Sequence, residues 1–309
     1  MMDCVIGVDI GGTKIAASLV LPDGSLYGHR QSETPLARGI VTQVIALCQA
    51  LREDAQRQGY RIRALGVGTA GQVDSQTGRI SYAVETVPDW TGTELARPLE
   101  AALSVPVIVE NDVNAFVLGE ARYGSARGYQ QVLGVAVGTG VGGGLLLDGK
   151  LVRGAHFSGG EIGHILVDWQ SERLCSCGAY GHLEAYASGP ALAQRYYALA
   201  GLPPSADLRP VVQAERDGSA LAKQVLAEGG CILGMALNGL RCAFDPELVV
   251  IGGGVASIGG AWWSALQHTL QQGKMPAIQR GKVCLAELGT GAVLAGAGAL
   301  AYELWAGGT

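Results

Sequence analysis

Cys175 and Cys177 lie one residue apart in the segment CSCGAYGHLE, and His164 and His182 stand on either side of the pair. Thiolate sulfur and imidazole nitrogen are ordinary zinc ligands, and two of each can close a tetrahedral site. A second set of residues points to different chemistry. Three glycine turns each follow a buried, strand-like run: Gly11-Gly12-Thr13-Lys14, Gly138 to Gly144, and Gly252-Gly253-Gly254. Glycine lets backbone N–H groups surround phosphate oxygens, and a neighbouring lysine or threonine adds a cation or a hydroxyl donor. Taken singly, each turn reads better as a tight hairpin needing positive φ than as a phosphate cradle. Asp9, before the first turn, could hold Mg²⁺ directly or through water, or could simply cap the turn. Asn111 and Asp112 fall at the carboxyl end of the run VPVIVEND, where Asp112 would also suit a helix N-cap.

Two familiar nucleotide motifs are excluded. GTGVGG, Gly138 to Gly143, matches G-x-G-x-x-G, but the dinucleotide fingerprint needs a helix to open at the glycines, and GLLLDGK reads as another strand. GGTK lacks the spacing of a Walker loop.

The elements that must position these residues follow from periodicity. CVIGVDIGGTKIAASLVLPDGSLYGHR reads as strand, glycine turn, strand, then an Asp23-Gly24 hairpin turn into a third strand. Residues 40 to 58 form a helix, since Val41, Val44, Ile45, Cys48 and Leu51 recur at three and four residue spacing. ALGVGTAG is a buried strand, VPVIVEND another, and VNAFVLGEARYG the helix after it. From Val132 the opening pattern returns, with an Asp148-Gly149 turn, so the chain reads as two similar halves starting near residues 3 and 132. Helical runs follow at 190 to 200 and 219 to 243, then the strand ELVVIGGGVA and the Ala-rich helix AVLAGAGALAYELW.

The composition sets outer limits. The 309 residues are 48% hydrophobic and 16% charged, with 48 glycines and a net charge of −5, which describes a compact globular chain of two domains. No Lys/Arg run exceeds two residues, so a nucleic-acid partner is not expected. No stretch of 18 apolar residues and no leader are read, so a cytoplasmic location without membrane contact is expected. The seven cysteines are odd in number and scattered, which argues against a disulfide framework. Cys4, Cys48, Cys231, Cys242 and Cys284 stand singly in apolar surroundings and are expected to be small buried thiols. His29, His156 and His268 are expected at the surface or satisfied in the core.

The ordered set DIGGTK, ENDVNA, GTGVGGG, GGEIGH, CSCGAYGHLE and VVIGGGVA resembles the ROK family of sugar kinases and regulators, within the actin-like ATPase superfold. The resemblance runs from about residue 4 to 300. It implies an α/β fold of two duplicated actin-like (ribonuclease H-like) ATPase domains with a cleft between them. The first would span 1–120 and be joined by a C-terminal helix at about 291–309; the second, 121–290, would carry the zinc segment.

It also implies roles. Asp9, Gly11, Gly12, Thr13 and Lys14 would form the first phosphate site, Gly138, Thr139, Gly140 and Gly142 the second, and Gly253 and Gly254 the adenosine side. Asp112 would be the catalytic base, and Asn111, Gly71, Glu161, His164 and Glu184 would join it around a sugar. His164, Cys175, Cys177 and His182 would bind structural zinc, with His182 standing where the family has a third cysteine. ATP and Mg²⁺ are the implied cosubstrate and cofactor, and a homodimer the implied assembly. The chemistry is coherent: phosphorylating a hydroxyl needs a carboxylate that accepts its proton as the oxygen attacks the γ-phosphorus.

An ATP-dependent hexose kinase of glucokinase type, acting at the 6-hydroxyl, is therefore expected. N-acetylmannosamine or N-acetylglucosamine phosphorylation is the alternative. A sugar-responsive regulator without catalysis is the reading from another class. Asp9 within ten residues of the start leaves no room for the DNA-binding segment of such regulators, and intact loops with Asp112 present argue for catalysis. Thr86 stands where glucokinases commonly carry asparagine before the tryptophan of TVPDW, which leaves the sugar open.

Overall fold

The computed structural model describes residues 2–83, 89–170, 173–276 and 279–307. In chain order the elements are β1 (Met2–Ile10), β2 (Lys14–Val20), β3 (Leu26–Glu33), α1 (Ala37–Arg57), β4 (Tyr60–Thr69), β5 (Gln72–Asp74), β6 (Arg79–Tyr82), α2 (Ala96–Leu103), β7 (Val107–Asn111) and α3 (Asp112–Tyr123). They continue with β8 (Val132–Val137), β9 (Val141–Leu147), β10 (Lys150–Leu151), α4 (Glu184–Ala187), α5 (Gly189–Ala200), α6 (Arg209–Arg216), α7 (Ala220–Phe244), β11 (Leu248–Gly252), α8 (Gly260–Gln271), β12 (Lys282–Leu285) and α9 (Ala292–Trp305). Contacts group the chain into two compact units. The first comprises Met1–Tyr129, Gly144–Gly160 and Ala286–Thr309; the second comprises Gln130–Gly143 and Glu161–Leu285.

The first unit is built on the sheet β3-β2-β1-β4-β7. β1, β2 and β3 form an antiparallel meander, while β1, β4 and β7 run parallel. This is the strand arrangement of the actin-like fold. Both faces are covered, so β1 reads as an almost unbroken apolar run. Cys4, Ile6, Val8 and Ile10 face a core completed by Ile40, Val44, Leu51 and Leu99 of α1 and α2. Val5, on the opposite face, packs with Val20, Ala64 and Ala301 of α9.

The composition of α9 follows from how closely it approaches. A Cβ at Gly66 of β4 would lie 1.8 Å from the Ala297 carbonyl oxygen, and one at Gly296 would lie 1.7 Å from that of Ala115 in α3. Only a helix of Ala and Gly can lay its backbone on the sheet and on α3 at this distance.

The second sheet repeats the order of the first, β10-β9-β8-β11-β12. β9 and β10 form an antiparallel hairpin, and β8, β11 and β12 run parallel. The turn of that hairpin places Asp148 at φ 51° and Gly149 at φ 70°, the left-handed pair that an Asp-Gly turn supplies. In the second unit α7 packs on α8, α5 and α6. By length and composition α7 is long and apolar enough to cross a membrane, and half of that stretch is buried inside the protein, as in a core helix.

The thiol expectation holds only in part. Cys4 and Cys48 are fully buried, Cys231 and Cys284 are half-buried, and Cys242 is exposed, its sulfur 3.6 Å from that of Met275. An apolar local sequence marks the helix α7 but does not say which of its faces Cys242 occupies. His29, His156 and His268 are all exposed.

Replacing Gly66 by alanine forces a methyl group into the α9 backbone. The variant is expected to lose about 3 kcal/mol or more, the upper range for overpacking, seen as a lower urea midpoint with an unchanged slope.

Candidate active site and metal site

The parallel strands of the first unit end together. Ile10 of β1 pairs with Thr69 of β4, and Thr69 with Asn111 of β7, so Asp9, Asn111 and Asp112 gather at one carboxyl edge. That edge is where open α/β sheets bind ligands. Between β1 and β2, Gly11 N–H donates to the Lys14 carbonyl at 3.0 Å and accepts the Thr34 hydroxyl on its own carbonyl at 2.7 Å, which closes a short hairpin. Gly12, Thr13 and Lys14 at its tip are exposed.

The N-cap of α3 is Asn111, not Asp112. Its Oδ1 accepts the Val113 and Asn114 N–H groups at 2.9 and 3.1 Å, while its Nδ2 donates to the Gly71 carbonyl at 3.0 Å. Gly71, at φ 97°, is thereby tied to the strand end through its backbone. Asp112 becomes the first residue of α3. Its Oδ1 accepts its neighbour Val113 N–H at 2.9 Å. Burial pushes its carboxyl above the ordinary value, against the pull of hydrogen bonds from Val113, its own backbone N–H and the Asn111 side chain. A proton acceptor with a raised pKa suits general-base work near neutrality.

Asn111 and Asp112 rest on a carboxylate that the sequence reading passed over. Glu110, 2% exposed, accepts the Asn111 N–H and the Asn114 Nδ2 at 3.0 Å each, and Arg153 Nε at 2.6 Å. An acid inside the apolar run VPVIVEND was the available signal, since a buried carboxylate requires a cation and donors. Its partner Arg153, 43 positions on, was not deducible from spacing.

The second unit carries its own set. The loop between β8 and β9 holds Gly138, Thr139, Gly140 and Gly142, with Thr139 exposed. Because β9 opens at Val141 as a strand, no helix starts at these glycines and the dinucleotide reading is excluded. Gly253 and Gly254 follow β11, both exposed, Gly253 at φ 91°. Glu161 precedes and His164 ends a 3₁₀ turn (Ile162–His164), with Glu161 Oε2 3.9 Å from His164 Nε2. The other nitrogen of that ring, Nδ1, lies 3.4 Å from Cys175 Sγ.

His164, Cys175, Cys177 and His182 converge. One ligand atom from each lies within 4.8 Å of all the others, and Cys177 Sγ is 3.2 Å from His182 Nδ1. A tetrahedral zinc with bonds of about 2.3 Å to sulfur and 2.0 Å to nitrogen needs sulfur and nitrogen about 3.5 Å apart. The donor set and its spacing fit zinc, His182 included. Burial pushes the Cys175 thiol up to about 11, and ligation would offset this cost by taking the thiolate form. The segment is also fastened without metal: Arg173 pairs with Glu228 of α7 at 2.8 Å and lies over the Tyr186 ring, whose hydroxyl donates to Asp168 at 2.8 Å.

The model of the ROK family matches residues 5–303. The chain belongs to the ROK family. It is 33% identical to a glucokinase of Streptomyces coelicolor, over 98% of this chain and 98% of that one. It is 32% identical to an N-acetylgalactosamine kinase of Shewanella sp. strain ANA-3, over 97% of each. A ROK family glucokinase from Streptomyces griseus, solved in complex with glucose and AMPPNP, matches with a TM-score of 0.83 at 33% identity, covering 97% of this chain and 99% of that one.

In this ROK chain the residues singled out by sequence therefore form two groups. Asp9, Gly11 to Lys14, Gly71, Asn111 and Asp112 belong to the first unit; the Gly138 loop, Gly253, Gly254, Glu161, His164, Glu184 and the metal ligands belong to the second. Thr86, which bears on the choice of sugar, lies outside the described residues.

Asp9 supplies a test of the first group. Burial pushes its carboxyl up to about 7 from an ordinary 3.8, Asp112 adds to the rise and Lys14 opposes it. The folded chain therefore keeps a proton that the unfolded chain releases. Asp9 contributes stability that is full below about pH 4 and is lost as the pH rises through about 7. Asp9→Asn is expected to flatten this decline, worth up to about 1.4 kcal/mol per pH unit, in denaturation midpoints measured across that window without nucleotide. An unchanged slope would mean that Asp9 is ionised throughout.

Proposed function

We propose that this chain is an ATP-dependent hexose kinase that phosphorylates a sugar at its 6-hydroxyl, with Asp112 as general base. The observation that carries the reading is the state of Asp112: Asn111 caps α3, which leaves the Asp112 carboxylate at the strand edge with its proton affinity raised by burial. The ROK relatives, among them a glucokinase solved with glucose and AMPPNP, support the same reading.

In the proposed reaction the Asp112 carboxylate accepts the proton of the sugar hydroxyl as that oxygen bonds to the γ-phosphorus of ATP. The bond from phosphorus to the bridging oxygen breaks and ADP leaves. Asn111, Gly71, Glu161, His164 and Glu184 would orient the sugar. Backbone N–H groups of the glycine loops, with Lys14, would stabilise charge on the phosphates, and Gly253 and Gly254 would line the adenosine side. Asp9 would hold Mg²⁺, which when bound neutralises phosphate charge. Zinc on His164, Cys175, Cys177 and His182 would be structural, since four protein ligands leave no open position for substrate. His164 can serve both partners, because Nδ1 faces Cys175 while Nε2 faces Glu161. The family resemblance also supports a cytoplasmic homodimer.

A second reading, an N-acetylhexosamine kinase, is favoured by the similarity to the Shewanella N-acetylgalactosamine kinase. ADP release measured with glucose, mannose, fructose and the N-acetylhexosamines separates the two, and turnover with none of them would overturn the kinase reading. With the sugar accepted, Asp112→Asn is expected to lower kcat by about 10²-fold or more while sugar binding persists.

Metal analysis of the purified protein is expected to give one zinc per chain, and His182→Cys to retain it. Removing the zinc should lower the thermal midpoint of the protein; an unaltered midpoint and an unaltered sugar KM would exclude a supporting role for the metal.

A further inference from the structure

Glu184 is the first residue of α4, and neither of its carboxylate oxygens is free of the protein. Oε2 accepts the Val141 N–H at 3.0 Å, at the point where the glycine loop enters β9. Oε1 accepts the hydroxyl of Ser176, the residue between the two cysteines of the metal segment. The loop leaves space for this arrangement at one position. A Cβ on residue 140 would lie 2.5 Å from Glu184 Oε2, so only glycine lets the carboxylate reach Val141. The same stretch of chain grips the loop again five residues later, where Gly189 N–H donates to the Gly138 carbonyl at 2.8 Å. Within the loop, Gly138 N–H donates to the Gly140 carbonyl at 2.9 Å, so its shape is fixed at both ends.

We propose that Ser176 and Glu184 form a positioning link from the metal segment to the phosphate loop at Gly138 to Gly143, so that this segment sets nucleotide affinity and not sugar affinity alone. The proposal rests on the kinase reading above. Its physical basis is short. Cys175 and Cys177 are fixed when they share a metal, and the residue between them is fixed with them. Ser176 then holds one oxygen of Glu184, which turns the other toward Val141 N–H. A charge-assisted hydrogen bond to a backbone N–H is among the stronger local restraints available, and it acts here on a loop whose glycines would otherwise leave it slack.

The test uses the full-length protein with its metal. Binding of AMPPNP with Mg²⁺, in the absence of sugar, is measured by calorimetry for the wild type, Ser176→Ala, Ser176→Thr and Glu184→Gln, with zinc content determined on each sample. Ser176→Ala is expected to keep its zinc and weaken AMPPNP binding by about tenfold, the scale for loss of an outer supporting hydrogen bond. Ser176→Thr, which keeps the hydroxyl, is expected to restore most of the affinity, and Glu184→Gln to weaken it by a similar factor. A purely structural defect would not be rescued by threonine. Wild-type AMPPNP affinity in both Ser176→Ala and Glu184→Gln would overturn the link while leaving the kinase reading intact. Absence of AMPPNP binding to the wild type would overturn the kinase reading itself, and the link with it.

Discussion

Ile10, Thr69 and Asn111 lie side by side on three parallel strands, and that register determines what the first unit can do. It brings Asp9, Asn111 and Asp112 from positions a hundred residues apart to one sheet edge. A slip of one residue would turn each of these side chains to the opposite face. The register is held from behind by α9, whose glycines and alanines let its backbone lie against β4 and α3 at distances that exclude a Cβ. The Ala-rich C-terminal helix is thus part of what places the acids.

Three carboxylates near this edge are kept in different states by their surroundings. Glu110, the deepest, is satisfied by Arg153, Asn114 and a backbone N–H, which fixes the strand end mechanically. Asp9 is buried with a like charge nearby and holds a proton to about pH 7. Asp112 is raised by burial, which outweighs hydrogen bonds from Val113, its own backbone and Asn111. Burial raises the proton affinity of Asp9 and Asp112, while Glu110 is tied into a network of a cation and two N–H donors. The assignment of the N-cap to Asn111 is the decisive detail, because the amide satisfies the helix terminus and leaves Asp112 free of that duty.

In the second unit single side chains likewise hold two partners each. His164 presents one nitrogen to Cys175 and the other toward Glu161, and Glu184 divides its oxygens between Ser176 and Val141. Arg173, Tyr186, Asp168 and Glu228 fasten the segment to the helices around it.

Much of this was legible in the amino-acid sequence. The repeated strand–glycine–strand pattern at residues 3 and 132 reflects the matching strand orders of the two sheets, and Asp-Gly marked both hairpin turns, because left-handed backbone and alternating apolar residues are local requirements. The convergence of His164, Cys175, Cys177 and His182 was legible because cysteine and histidine are scarce and their clustering is itself a signal. What sequence could not give were the partners. Glu110 with Arg153, Ser176 with Glu184, the cap by Asn111 instead of Asp112, and the exposed face taken by Cys242 each depend on which side chains meet after the chain has turned back on itself. Local pattern fixes the direction of a side chain along its own strand or helix. Only tertiary packing decides what stands opposite, and with it whether a buried carboxylate is tied down or left to accept a proton.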